Sequence, residues 1–491
     1  MTGVITDFIL KASIVMNRLI TLCLTLLLLP ATLQAADSYA IVVSRATHDD
    51  ASWKRVVDAL KQKHDGAQVI IYESHVNDAL TALREQFPRY TCFVATPDEA
   101  GRQFVADVHR LTRKLDDDPY TDTYWAILTG FDADNALSIA QHTEPLTVRR
   151  VASGTEFATD MVEEGVWYCE LVKNRMVKKE ADGRVMQLHG PDDTTAALVS
   201  TLNDYHADLF ITSGHATERD WQIGYRYRNG TFRSARGELF GLDTANVRYP
   251  IKSDNPKVYL PIGNCLMGHI DSLDAMALAW MQSAGVKQMI GYTVPTWFGY
   301  QGWGCLDYFV EQPGRYTFVE AFFANHHALI HRLETYAPNV TSVDVAVGRM
   351  LPAGEIRLTD AAQRDRVQAR EVIGLHFDRD VVAIYGDPAW VARMADRPKA
   401  YEQTLTVEGD RYTLTITPNR GADSFKPINT NGAQRGWRPI VQLLDHRITD
   451  IELLEGADLN PHIADDFILI PNPRECDPSR EYKVVFRAKK M

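Results

Sequence analysis

The sequence predicts an α/β chain with mostly parallel sheets, closed by a small C-terminal β-sandwich. Three observations carry that expectation. From residue 39 to about 395, short apolar runs alternate with stretches of helical period. The runs are apolar throughout, as strands covered on both faces require. From about residue 402 the helical period fades and alternating strands with Gly-, Pro- and Asn-rich turns take over.

The elements follow in order. YAIVVS (39–44) is the first buried strand, and Trp53, Val56, Val57 and Leu60 mark one face of the helix after it. QVIIYE (68–73) is a strand, and Val76, Ala79, Leu80, Leu83 and Phe87 repeat the helical spacing. YTCFVAT (90–96) and a helix over 100–115 complete a β-α-β-α-β-α unit, which the polar stretch DDDPYTD (116–122) ends. Right-handed crossovers put its helices on both sheet faces. A second α/β unit has strands ADLFITS (207–213), KVYLPI (257–262) and QMIGYT (288–293). Its helices lie near 272–284, 317–334 and 360–373, and VVAIYGDPAW (381–390) supplies its last strand. YRYRNGTFRSARG (225–237) reads as a hairpin turning at Asn229-Gly230. TLTVEGDRYTLTITP (404–418) and EYKVVFRA (481–488) belong to the terminal sandwich. The expected boundaries are a signal peptide over 1–36 (with an upstream extension before Met16), an N-terminal α/β subdomain over 37–135, a main α/β domain over 136–398 and a β-sandwich over 399–491.

A length of 491 residues with 45% hydrophobic content supports two or three domains with sizeable cores. The net charge is −12 and no long basic run occurs, which argues against a nucleic-acid partner. Asn17-Arg18 precedes the apolar run LITLCLTLLLL (19–29), with small residues at Ala35 and Ala36. This is the pattern of a secretory signal peptide, too short for a membrane span, so no span is expected in the mature chain. The destination is the periplasm, the outer-membrane surface or the exterior. Beyond the leader stand Cys92, Cys169, Cys265, Cys305 and Cys476. Five is odd, so in an oxidising compartment at least one thiol stays free or pairs between chains.

Two strand ends carry chemistry. DLFITSGHATERDW sets His215 just past an apolar strand and Ser213-Gly214, and VYLPIGNC sets Cys265 just past another and Gly263-Asn264. Open parallel sheets hold their ligand crevice at that carboxyl edge. If the strands are neighbours, imidazole and thiol meet across it. The imidazole then takes the thiol proton, the thiolate attacks a carbonyl, and the imidazolium protonates the leaving amine. Backbone N–H groups at Cys265 and near His215 suit the developing oxyanion. No acidic residue orienting His215 is assigned, Asp208 and Glu218 being near in sequence only. His327 and His331, four apart on a helix, read as a packed face rather than a zinc pair, since the residue after His327 is Ala328. His269, four residues after Cys265, reads as decorating the turn that leaves the crevice, the alternative being that it joins Asp271 in binding a ligand. Cys305, with no strand before it, reads as structural.

These segments resemble the gingipain-type cysteine peptidases, in the clan that also holds caspases and legumains. There the catalytic His and Cys follow hydrophobic strands in the same order. LAWMQSAGVKQMIGYTVPTWFGYQGWG (278–304), TFVEAFFAN (317–325) and YGDPAW (385–390) resemble the family's segments after the nucleophile. The resemblance covers most of 205–395. It implies a caspase-like three-layer fold, an Ig-like terminal sandwich, protein or peptide substrates, and a Cys265/His215 dyad working through an acyl-enzyme. By the same likeness Trp297 lines S1 or a neighbouring substrate pocket, the alternative being an aromatic packed on the crevice edge, and the backbone N–H groups of Cys265 and Ala216 form the oxyanion hole. Ala216 departs from the family, which has glycine there. That departure favours the alternative of a catalytically weak or inactive protein of the same fold, acting as an envelope or extracellular binding module. The chemistry requires no cofactor and no metal site is assigned, while the clan's calcium binders and the acidic loops here allow Ca²⁺ as a structural ion. The family's preference for basic residues does not carry over, because no acid can be assigned to a pocket base.

Overall fold

A computed structural model describes residues 38–430 and 434–491. The expected signal peptide lies outside the described residues. Twelve strands form one sheet. In chain order they are β1 (Tyr39–Ser44), β2 (Gln68–Tyr72), β3 (Tyr90–Val94), β4 (Tyr124–Leu128), β5 (Arg150–Ser153), β6 (Glu164–Tyr168), β7 (Arg175–Lys179), β8 (Val185–His189), β9 (Leu209–Thr212), β10 (Lys257–Pro261), β11 (Val286–Tyr292) and β12 (Val382–Gly386). Their order across the sheet is β2-β1-β3-β4-β12-β11-β10-β9-β5-β6-β7-β8. Neighbours run parallel except β11 with β12, β6 with β7, and β7 with β8. The protein is therefore α/β with one large mixed sheet, and the two α/β stretches of the sequence share it. The join is β12, parallel to β4 and antiparallel to β11.

Every residue of β1, β4, β9, β10 and β12 is buried, which explains why β1, β9, β10 and β12 read as apolar runs. The helix Phe318–Tyr336 starts at a capping box in which the Thr317 hydroxyl takes the Glu320 N–H and the Glu320 carboxylate takes the Thr317 N–H. The helix expected over 360–373 is two, Asp360–Arg364 and Ala369–Asp378, broken where Arg366 adopts φ +57°. The hairpin expected at Asn229-Gly230 turns instead at Arg236-Gly237, between Thr231–Ala235 and Glu238–Leu242. Both turn residues have positive φ, 46° and 78°, as a two-residue turn with the sheet's twist demands. Asn229 has another task, its side chain accepting the N–H groups of Thr194 and Gly230.

The C-terminal region forms two antiparallel sheets. Alternate residues of Ile440–Leu443 and Phe467–Ile470 point to opposite sides. Ile440, Ile468 and Ile470 join Leu414, Val484 and Phe486 in a core of their own. Val441, Leu443, Phe467 and Leu469 join the core of the large sheet. Buried ion pairs add to this docking: Arg435 reaches Asp307 at 3.3 Å and Glu311 at 2.5 Å, and Arg438 reaches Asp307 at 2.8 Å. Among the described residues no helix is long and apolar enough to cross a membrane.

Candidate active site

β9 and β10 are parallel neighbours, with Thr212 opposite Pro261. His215 and Cys265 therefore leave the sheet at the same carboxyl edge. Gly214 turns the first loop at φ +90°, a conformation open to glycine without strain. The buried Asn264 ties the loops together. Its Oδ1 accepts from Thr212 Oγ1 at 2.7 Å, and its Nδ2 donates to the Gly214 carbonyl at 3.1 Å.

The loop after β11 closes on the sulfur. The Thr296 N–H donates to Cys265 Sγ at 3.2 Å, and the Thr296 hydroxyl donates to the Asn264 carbonyl at 3.2 Å. The Cys265 turn then runs on beside β11, through Leu266 N–H to Val294 O and Gly268 N–H to Tyr292 O. It lies so close that a Cβ on Gly268 would sit 2.2 Å from the Gly291 carbonyl oxygen. Leu266 has φ +58°. A bulky residue in that region costs about 1–2 kcal/mol, and the strain sits beside the thiol.

Cys265 is half-buried and His215 is exposed. The His215 ring packs on Tyr225, ring centres 4.9 Å apart, and the His215 carbonyl accepts from Gln222 N–H. Ala216 lies outside the left-handed region, so its Cβ adds no backbone strain. Among the described residues the N–H groups of Cys265 and Ala216 find no protein acceptor, and no hydrogen bond joins the His215 ring to the Cys265 sulfur.

Sequence reasoning missed Glu170, just past β6. Its buried carboxylate accepts from Thr155 Oγ1 at 2.5 Å and, through the same oxygen, from Ser213 Oγ at 3.4 Å. Its other oxygen, Oε2, has no partner among the described residues. Its carbonyl takes the N–H groups of Tyr225 and Arg226, so it braces both the His215 loop and the tyrosine beside the imidazole. Burial pushes its carboxyl above the ordinary range. The available signal was the run VWYCE, a carboxylate ending an apolar strand. Asp208 sits at the opposite edge of the sheet, accepting the N–H groups of Arg149 and Arg150. Glu218 contributes a carbonyl to Met276 N–H.

Trp297 follows Thr296 and packs against Phe298 and, edge-on, Phe377. Trp303 lies against Gly263 and Gly299 with the Arg435 guanidinium over its ring at 5.2 Å. Asp271 pairs bidentately with Arg219 at 2.7 and 2.8 Å, and His269 accepts from Arg102 Nε at 3.2 Å. His327 stacks on Phe467 at 4.3 Å and His331 Nδ1 meets Tyr120 Oη at 3.2 Å, so both are packed. Burial lowers them to about 3 and about 4. Among the described residues the group of carboxylate, thiol or imidazole ligands close enough to share an ion is Asp116, Asp118 and Asp465, with ligand atoms within 4.8 Å of one another. All five described cysteines are unpaired, and all but Cys265 are buried.

No protein-family model matches the chain, and no curated protein matches it. A solved structure described as "Structure of Protease" aligns over 93% of this chain and 97% of its own, at 11% identity and a TM-score of 0.39. A likeness of that size carries no argument about fold or activity.

Proposed function

We propose that the chain is a secreted gingipain-like cysteine endopeptidase of caspase-like fold. In this reading residues 37–135 extend a catalytic unit over 136–398, and an Ig-like sandwich over 399–491 is accessory. One observation supports it above the others. Two parallel neighbouring strands end in glycine turns that bring His215 and Cys265 to one edge, clamped together by Asn264.

His215 takes the Cys265 proton, and the sulfur attacks the peptide carbonyl carbon. The carbonyl oxygen, now negative, is held by the free N–H groups of Cys265 and Ala216. The tetrahedral centre collapses, the C–N bond breaks, and His215 gives its proton to the leaving amine. Water then loses a proton to His215 and attacks the thioester. The acid product leaves and the proton returns to sulfur. Glu170 positions the His215 loop through Ser213, and Trp297 walls a substrate pocket. The chemistry needs no cofactor, and Asp116, Asp118 and Asp465 supply the hard oxygen donors that a structural Ca²⁺ takes. The leader routes the chain across the inner membrane, to the periplasm, the outer-membrane surface or the exterior.

A second reading is a weak or inactive protein of this fold that binds partners. The packing of His215 on Tyr225 instead of the sulfur favours it, as does Ala216. A peptide-library digest with purified protein, beside a Cys265→Ala variant, separates the readings. The peptidase cleaves and takes up a thiol-directed peptidyl inhibitor, and the variant does neither, with hydrolysis down more than about 1,000-fold. Undiminished hydrolysis by the variant removes the mechanism; no hydrolysis by either protein favours the binding module.

A further inference from the structure

The twelve-stranded sheet ends in a bare edge. β8 (Val185–His189) pairs with β7 alone, at every one of its positions and without a bulge. At one end of this hairpin the Glu180 N–H donates to the Arg184 carbonyl at 3.0 Å, and at the other the Gly190 N–H donates to the Asn174 carbonyl at 2.8 Å. In an antiparallel ladder, pairs that exchange hydrogen bonds alternate with pairs that do not. Between those two ends the bonded pairs are therefore Lys178 with Met186 and Met176 with Leu188. Val185, Gln187 and His189 turn their N–H and C=O groups to the outside of the sheet, where among the described residues no backbone group meets them.

This edge also lacks what keeps other edges of the molecule apart. Ile448–Glu455, at the rim of a C-terminal sheet, bulges twice, and Arg248–Ile251, at the rim of the small sheet, holds Pro250. Tyr401–Glu408 carries Glu402 and Glu408, and Arg315 takes its Tyr401 carbonyl. β8 reads VMQLH, with no proline and no Lys, Arg, Asp or Glu, and Val185 and Leu188 are 45% and 40% exposed. An edge left in that state is a template for another strand. The strand is also complementary to itself. Two copies laid antiparallel about a two-fold axis at Gln187 set Gln187 against Gln187, Val185 against His189 and Met186 against Leu188. Every outward N–H and C=O of the three residues then finds a partner, and any other register leaves some unpaired. Met186 and Leu188 share a face with Met176, which lies opposite Leu188 on β7, so the apolar strip of one copy continues into that of the other.

We infer that β8 is an interaction surface for a second copy of this chain, the two edges joining in antiparallel register across Gln187 into one continuous sheet. β8 lies four strands from β9, about 19 Å at ordinary strand spacing, and the pairing calls on none of the residues of the candidate site. A five-residue strand on each side makes a contact smaller than the roughly 800 Å² per partner of a standard complex. Association is accordingly weak, with half the chains paired at about 10–100 µM.

Sedimentation velocity on the purified protein tests this. The wild type should pass from monomer to dimer over about 1–300 µM. Gln187 is exposed, so substitution there spares the fold. Gln187→Lys and Gln187→Glu should each weaken the pairing by about tenfold or more, because each sets like charges face to face across the axis. An equimolar mixture of the two variants should pair again, since opposite charges then meet, and that recovery shows both to be folded. Gln187→Pro, which gives up only an outward N–H, should stay monomeric over the same range. A wild type that remains monomeric at the highest concentration overturns the inference. A dimer that Gln187→Lys and Gln187→Pro leave intact sits elsewhere on the surface and overturns it too. Pairing lost in both charged variants and not regained in their mixture, with urea midpoints equal to the wild type's, rules out the register across Gln187 and with it the proposal. The readout is mass and not turnover, so this test and the peptidase test fail separately.

Discussion

The carboxyl edge of the sheet is built in two ways. At β1 and β3 it is sealed. The Glu99 carboxylate takes Ser44 Oγ at 2.5 Å, Thr47 Oγ1 at 2.6 Å, Thr96 N–H at 2.9 Å and Thr96 Oγ1 at 3.3 Å. Ser44, the last residue of β1, is already the N-cap of the helix Arg45–Asp49, so no loop is left to line a crevice. At β9 and β10 the edge is left open. Glycine turns lengthen the loops, the N–H groups of Ala216 and Cys265 go without acceptors among the described residues, and a half-buried sulfur and an exposed imidazole stand at the rim. Strand geometry is the same in both halves. A parallel sheet offers an edge; whether it becomes a site depends on which donors the strand-end residues leave unspent.

Closing or loosening each edge should have different consequences. The largest is expected at Asn264, the clamp of the open edge. Asn264→Ala deletes the bonds to Thr212 and Gly214 and takes from the half-buried Gly214 carbonyl its side-chain donor. It should destabilise the fold by about 2–3 kcal/mol and lower kcat/KM by about 100-fold through misplacement of both loops. Urea unfolding and steady-state kinetics on the same preparation measure the two effects. A stability loss with unchanged kcat/KM would separate the clamp from the site.

The sealed edge should respond in stability alone. Glu99→Ala removes the shared acceptor of Ser44, Thr47 and Thr96 and is expected to cost about 2 kcal/mol. Hydrolysis by the folded fraction should stay within about twofold. A tenfold fall in kcat/KM with the fold intact would mean that the two edges are coupled.

The two edges were not equally legible in the sequence. β9 and β10 were readable as strands because both faces are covered, and His215 and Cys265 because each follows such a strand across a glycine turn. β4 escaped notice, since YWAIL is five residues long and follows polar residues that resemble a boundary. The strands β5 to β8 were equally silent, with runs too short for a period to declare itself, while the small sheet around Thr231–Leu242 was read as a hairpin with its turn misplaced. Glu170 was unreadable as a brace because its partners Thr155 and Ser213 are 15 and 43 residues away. The Arg236-Gly237 turn lost to Asn229-Gly230 on turn chemistry, since Asn-Gly is the stronger local signal and tertiary bonds to Thr194 claimed it.

Histidine repeats the contrast between sealed and open at the scale of one side chain. His215 faces solvent, whereas His109 is fully buried, with Nε2–H donating to the Val382 carbonyl at 2.8 Å and no partner for Nδ1 among the described residues. Burial lowers His109 from 6.5 to about 4. Between those values the unfolded chain binds a proton that the folded chain refuses. The stabilisation from burying this ring is therefore complete above about pH 6.5 and is lost as pH falls toward 4. His109→Gln keeps a donor for Val382 and cannot titrate. Its stability relative to the wild type should accordingly improve on acidification by up to about 1.4 kcal/mol per pH unit across that window. Urea midpoints of both proteins at pH 7.0, 5.5 and 4.5 measure this, and the difference cancels the titrating groups that do not interact with His109, which His326 and Asp380 do. A gap between the two proteins that stays constant with pH would mean that His109 is hydrated in the folded state, and that its region of the sheet is not sealed.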